Sequence, residues 1–195
     1  GVGNDIVAGN VGNDTVCGGD GNEQLYGNVG TDIMDGCEGD DTLFGGQDSD
    51  TLIGDSGNDN LNGDLGNDLV YGNTGADTLA GNDGDDTLYG GKDGDILTGG
   101  IGNDWFVGDL GNDTLRGGAG SDRFIFSVGA GSDIVTDFED GIDSLVLAGG
   151  LTFAELTVTQ DASATLIKIT SSGELLASLN GVQATLITTS DFTLI

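Results

Sequence analysis

The chain has no histidine, no proline and only four basic residues, Lys92, Arg116, Arg123 and Lys168, against 34 acidic residues in 195. So few cations exclude nucleic acid and anionic membrane surfaces as partners, because both are held by Lys and Arg against phosphate. Two cysteines and no histidine leave no column of soft ligands for zinc or copper. No stretch approaches the roughly 18 to 20 apolar residues that span a bilayer, so membrane insertion is not expected. No charged-then-apolar leader opens the chain either. Gly1-Val2 falls in mid-repeat and no Met precedes it, which predicts a fragment, a processed chain or the ordered part of something longer.

What is present is glycine, 39 residues of it, and a formal charge of −30. An acidic, Gly-rich chain with 6% aromatics would ordinarily stay disordered, burying too little apolar surface to offset its ordering entropy. The spacing argues otherwise. From Gly3 to about Phe126 the chain reads as fourteen units of G-N-D-x-U-x-G-G/N-x, where U is a large apolar residue, without one insertion. The acidic column is Asp5, Asp14, Glu23, Asp32, Asp41, Asp50, Asp59, Asp68, Asp77, Asp86, Asp95, Asp104, Asp113 and Asp122. The U column is Val7, Val16, Leu25, Met34, Leu43, Leu52, Leu61, Val70, Leu79, Leu88, Leu97, Phe106, Leu115 and Phe124. Repeats of this kind bury a continuous core by stacking.

Within x-U-x the alternation is that of a very short strand with only U pointing inward, and the glycines supply the positive φ that turns demand. Two units make an eighteen-residue coil with a strand on each side. Stacked coils then give two parallel sheets whose U residues meet, and seven coils at about 4.8 Å make a rod of roughly 34 Å. Tyr26 and Phe44, and Tyr71 and Tyr89, are eighteen apart at the outward position after U and are expected to stack. After Phe126 the period breaks, with Asp133 and Asp143 at spacings of eleven and ten from the preceding acid. Segments 156–159, 165–169, 175–179 and 192–195 read as ordinary strands of a cap that covers the open end. The expected division is a repeat roll over 1–126, degenerate closing repeats over 127–150 and a cap over 151–195.

Carboxylates and glycine carbonyls are hard oxygen ligands, which suit Ca²⁺. The ions are expected between successive turns along each edge. Gly90-Gly91-Lys92-Asp93-Gly94-Asp95-Ile96-Leu97-Thr98 and Gly117-Gly118-Ala119-Gly120-Ser121-Asp122-Arg123-Phe124-Ile125 resemble the RTX, or haemolysin-type, calcium-binding nonapeptide repeat. The resemblance covers about residues 1 to 126. It implies an all-β, right-handed parallel β-roll with calcium in its turns and the acidic column as ligands. Asp133 and Asp143 are carried as further candidates in the degenerate repeats. Glu23 departs from the pattern at a ligand position, as do Asp48 and Asp93 where the family has Gly. Ser190-Asp191-Phe192-Thr193-Leu194-Ile195 resembles the C-terminal signals of type I secretion, and a capping hairpin explains it equally well.

The electrostatics predict coupled folding. Carboxylates repeating about every 4.8 Å repel without metal, so the apo chain is expected to be largely unfolded. Roughly twelve calcium ions, bringing about 24 positive charges, reverse this. The reading is a non-catalytic, extracellular calcium module, secreted or at the cell surface, or the C-terminal part of a larger secreted toxin or hydrolase. The alternative is a self-assembling filament or S-layer-like subunit. The alternative draws on Val11, Val29, Leu65 and Ile101, an apolar column along one edge interrupted by Gln47 and Asp83, with Leu110 on the other edge; partial burial against adjacent turns would also account for them.

Three further features stand apart from the repeat chemistry. Gly54-Asp55-Ser56-Gly57 spells the string around a trypsin-like nucleophile, yet no His exists to activate Ser56. Ice binding would need a flat Thr array, and the residue before each unit's first Gly is Thr only at Thr74. Cys17 and Cys37 are twenty apart, one coil on and offset by two. That offset is borderline for a disulfide, so a bridge and two free thiols both stay open.

Overall fold

A computed structural model describes residues Gly1–Ile195 as two parallel sheets wound by a single solenoid. Each strand pairs with the strand eighteen residues on, in register, so that Leu25 lies beside Leu43 and Leu43 beside Leu61. The odd-numbered units give seven strands to a sheet of 11 and the even-numbered units seven to a sheet of 9, the remaining strands coming from residues after Phe126. Between them Leu25, Met34, Leu43, Leu52 and Leu61 are fully buried, and the core runs unbroken as a cluster of 22 residues to Ile187. At about 25 cal/mol per Å² of apolar surface removed from water, this spine is the main apolar stabilisation of the roll.

The strands are longer than the sequence suggests. From Ile6–Val11 to Thr114–Ala119 each has six residues rather than three, because the Gly-Gly pair and the last residue of the unit stay in the ladder. In Thr42–Gln47, Leu43 and Gly45 both face inward. The next residue bends the chain into the turn with positive φ, +113° at Gly46 and +79° at Asn28. Asn and Asp tolerate that region better than other residues with a β-carbon, and Asp48 and Asp93 also adopt it, at +74° and +75°. Those two departures from the repeat are therefore accommodated in the backbone.

Both aromatic pairs stack on the outer face, Tyr26 on Phe44 at 5.3 Å and Tyr71 on Tyr89 at 4.9 Å between ring centroids. The apolar edge column is only partly covered by its neighbouring turns. Val11 is 80% exposed and Ile101 63%, and Leu65 and Leu110 are also exposed, whereas Val29 is half-buried.

Past Phe126 the ladder continues with longer turns. Asp133–Val135 pairs beside Thr114–Ala119 and Ser144–Leu147 beside Arg123–Phe126, so Leu115 meets Val135 and Phe124 meets Leu145. One more parallel rung is laid on each sheet by Leu175–Asn180 and Phe192–Leu194. The final strand therefore puts the C-terminal segment into the roll itself. Two antiparallel strands, Leu156–Asp161 and Ala164–Ile169, finish the odd sheet. Antiparallel pairing can turn back in a tight loop where a parallel rung needs a full coil.

Candidate metal centre

Each turn of the roll joins one sheet to the other through a short run that ends in the repeat's carboxylate. The acidic residues sort into two files. Asp14, Asp32, Asp50, Asp68, Asp86, Asp104, Asp122 and Asp143 follow one edge, and Glu23, Asp41, Asp59, Asp77, Asp95, Asp113 and Asp133 the other. Within a file the linkage is uniform: the backbone N–H of one residue donates to Oδ1 of the carboxylate one coil on. Asp50 N–H donates to Asp68 Oδ1 at 2.8 Å, and Asp41 N–H to Asp59 Oδ1 at 2.8 Å. Proximity of like charges along each file is thus built into the backbone ladder.

The second oxygen has no partner. Oδ2 of Asp14, Asp32, Asp41, Asp50, Asp59, Asp68, Asp77, Asp86, Asp95, Asp104 and Asp113 is buried without a hydrogen bond, as are both carboxylate oxygens of Glu23. A buried unpaired carboxylate oxygen is among the most costly groups a fold can hold. Each of these oxygens faces a cradle formed by the inward glycine of the same turn. A β-carbon added at Gly45 would lie 2.6 Å from Asp50 Oδ2 and 2.6 Å from the carbonyl oxygen of Gly63, one coil on. At Gly90 the same β-carbon would lie 2.5 Å from Asp95 Oδ2 and 2.8 Å from the Gly108 carbonyl. Carboxylate and carbonyl oxygens thus converge on one small space, and the carboxylate oxygen there has no donor. A hard cation satisfies both, and the donor set fits Ca²⁺.

Burial sets the protonation of the files. Desolvation, reinforced by neighbouring carboxylates, pushes Asp50, Asp59, Asp95 and Asp104 up to about 7. Desolvation likewise lifts Asp68, Asp77 and Asp86 to about 6. Glu23 and Asp41 move in the same direction for the same reason.

The ends of the files differ from the middle. Asp5 is exposed and lies near the N-terminal amine, and its N–H makes no bond to Glu23, the one rung missing from the ladder. Glu23 still takes part upward, its N–H donating to Asp41 Oδ1 at 2.7 Å. Asp143 spends both oxygens on backbone, accepting from Asp122 N–H at 3.0 Å and Glu139 N–H at 2.8 Å. Asp133 accepts from Asp113 N–H, and its carboxyl is pushed up to about 7, chiefly by burial.

Two contributors escaped the sequence reading. In most units the residue before the acid forms an outer ladder in the opposite sense, interrupted where that residue is Thr31, Ala76 or Gly94. Asn58 Oδ1 accepts from Ala76 N–H, Asn67 Oδ1 from Asp85 N–H and Asn103 Oδ1 from Ser121 N–H. The N of each G-N-D was the available signal, since Asn readily accepts local backbone donors. Asp137 is the other: its Oδ1 and Oδ2 accept from Gly117 N–H and Gly118 N–H, and Arg116 Nε lies 3.4 Å away. It follows a broken repeat, so no periodicity marked it.

A family model for the RTX calcium-binding nonapeptide repeat (4 copies) matches residues 1–34, 35–70, 62–97, 71–106 and 98–135. Among solved structures, the extracellular lipase LipA from Serratia marcescens is 18% identical over 90% of this chain, with a TM-score of 0.43. The chain spans 45% of that lipase's length. The AlgE6R3 subunit of the Azotobacter vinelandii mannuronan C5-epimerase is 24% identical over 75% of this chain and 78% of its own, with a TM-score of 0.42. The AlgE6R2 subunit of the same epimerase is 26% identical over 83% of this chain and 91% of its own, with a TM-score of 0.34. No curated protein matches the chain.

Proposed function

The chain belongs to the RTX calcium-binding nonapeptide repeat family and is a calcium-binding β-roll module; from that premise we propose that it is a non-catalytic extracellular part whose folding is driven by calcium. The observation that carries this reading is the files of buried carboxylate oxygens without partners, each beside the inward glycine of its turn and, at Asp32, Asp50, Asp77 and Asp95 among others, beside a glycine carbonyl from the next coil. Asp14, Asp32, Asp50, Asp68, Asp86, Asp104 and Asp122 on one edge, and Glu23, Asp41, Asp59, Asp77, Asp95 and Asp113 on the other, would hold the ions together with those carbonyls. Asp5 and Asp133 stand at the ends of the second file as weaker candidates, and Asp143 serves as a closing group because backbone donors already occupy it. Roughly twelve ions are expected. Calcium supplies positive charge where the fold has gathered negative charge, and what this chain's residues contribute is acceptors, spacing and exclusion of water.

Folding and binding are then one process. A chain of formal charge −30 with unpaired buried carboxylates is unstable when calcium is scarce, and stability rises with free calcium. Such a chain would leave the cell unfolded and fold outside, as part of a longer secreted protein. Circular dichroism in EGTA and then in millimolar calcium tests this: strand signal is expected only in calcium, and a chain that keeps it in EGTA at neutral pH contradicts the proposal.

One observation favours a second reading, a self-assembling surface subunit. Val11, Leu65 and Ile101 share an edge column and are exposed apolar residues on an otherwise acidic rod. Electron microscopy with calcium separates the two: single rods support the module, filaments or sheets the subunit.

A further inference from the structure

The chain has two cysteines, and the roll brings them together. In the even sheet Cys17 pairs in register with Asp35 and Gly19 with Cys37, so the two thiols lie diagonally across neighbouring strands. Their Sγ atoms are 3.3 Å apart. Cys17 is exposed and Cys37 half-buried, so small solutes can reach the pair.

A second observation is independent of that distance. Cys37 has a φ of +78°. It stands in the repeat position that bends the chain into the turn, and at every other unit from Asn10 to Gly118 that position holds Gly, Asn or Asp. Left-handed backbone is unfavourable for a cysteine. The rule of the position is broken only where the residue meets the other cysteine of the chain. Cys17 also precedes Gly18, and Cys37 follows Gly36, whose carbonyl faces Gly18 beside the Glu23 carboxylate. The pair thus flanks the cradle next to the missing Asp5–Glu23 rung.

We propose that Cys17 and Cys37 are an oxidisable pair that closes to a disulfide, stapling the first coil to the second where the carboxylate ladder is weakest. The oxidant is a low-molecular-weight disulfide. The Cys17 thiolate attacks one sulfur of it and expels one thiolate, leaving a mixed disulfide on Cys17. The Cys37 thiolate then attacks the Cys17 sulfur and expels the second thiolate. One S–S bond breaks and one forms, the protein pair loses two electrons and its two thiol protons, and the small disulfide is reduced.

The test uses the full chain, reduced and then exposed to oxidised glutathione in millimolar calcium, with non-reducing mass spectrometry and peptide mapping. The expected product is about 2 Da lighter, carries a Cys17–Cys37 linked peptide and holds no glutathione. Cys17→Ser is expected to retain one glutathione on Cys37. A folded chain that ends with two free thiols, with two glutathione adducts, or with one bound zinc and no mass loss would overturn the proposal. Circular dichroism of the same samples reports folding separately. A chain that folds without calcium therefore fails the calcium reading while the thiol result still stands. The stapling role predicts a free-calcium midpoint for folding about 1.5-fold lower in the oxidised than in the reduced chain, with no such redox response in Cys17→Ser. Equal midpoints in the two redox states would overturn that role.

Discussion

From Asp32 to Asp113 each aspartate of the two files gives one oxygen to the preceding coil and buries the other without a partner, whereas Asp143 gives both oxygens to backbone donors. Asp137 does the same over Gly117 and Gly118. The repeats therefore form an acceptor-rich body that needs a cation, and the closing coils form a region that satisfies itself. Where the chain leaves the nine-residue period it gains the freedom to bring N–H groups to its carboxylates. Strict repetition forbids that, because every turn offers the same donors and acceptors to the next.

Protonation should break the contrast most strongly. Several body carboxylates are raised from the ordinary 3.8 to about 6 or 7 in the fold, so the metal-free roll binds protons more tightly than the unfolded chain. That stabilisation is fully present below about pH 4 and is lost as pH rises through 6 to 7. In EGTA the strand signal by circular dichroism is expected to appear near pH 5 and vanish by about pH 7.5. In calcium, protons compete with the metal, so apparent affinity should fall as pH drops through the same window.

Gly45→Ala fills a body cradle. Its β-carbon would meet Asp50 Oδ2 and the Gly63 carbonyl at 2.6 Å, and a loss of about 3 kcal/mol in calcium is expected from urea unfolding. An alanine tolerated there would show that the space is not held for a ligand.

Paired substitutions sharpen the comparison. Asp68→Asn should cost about 2 kcal/mol in calcium, yet raise the pH at which the metal-free roll unfolds, because it removes a buried charge. Asp143→Asn should cost about 1 to 2 kcal/mol alike in calcium and in the acid, metal-free state, since it loses only backbone hydrogen bonds. If both variants respond equally to calcium, the distinction between body and closing coils fails. The smallest effect is expected at Asn58→Ala, about 1 kcal/mol or less, because Ala76 N–H loses an exposed acceptor that water can replace.

The division between what repeats and what does not also decides how much the sequence reveals. The U column, the eighteen-residue coil, the Tyr26–Phe44 and Tyr71–Tyr89 stacks and the two acidic files follow from spacing alone, since each depends only on a neighbour one coil away. Strand length escapes that reasoning: Gly45 looks like a turn residue, and only the ladder reveals that it faces inward at the end of a strand. The parallel rungs at Leu175–Asn180 and Phe192–Leu194 were hidden because they pair across 44 and 47 residues, Asp133 with Ala177 and Leu145 with Phe192. Asp137 was hidden because it lies past the break in the period, and the Asn ladder because its role lies in backbone donors that a residue pattern does not display.

Calcium titration of the full chain at about pH 7.5, followed by circular dichroism and by calorimetry on one sample, tests the central claim most directly. The account predicts a steep, cooperative gain of strand signal that saturates together with the uptake of roughly twelve ions. Strand signal already complete in EGTA, or calcium uptake without any change in it, would contradict it.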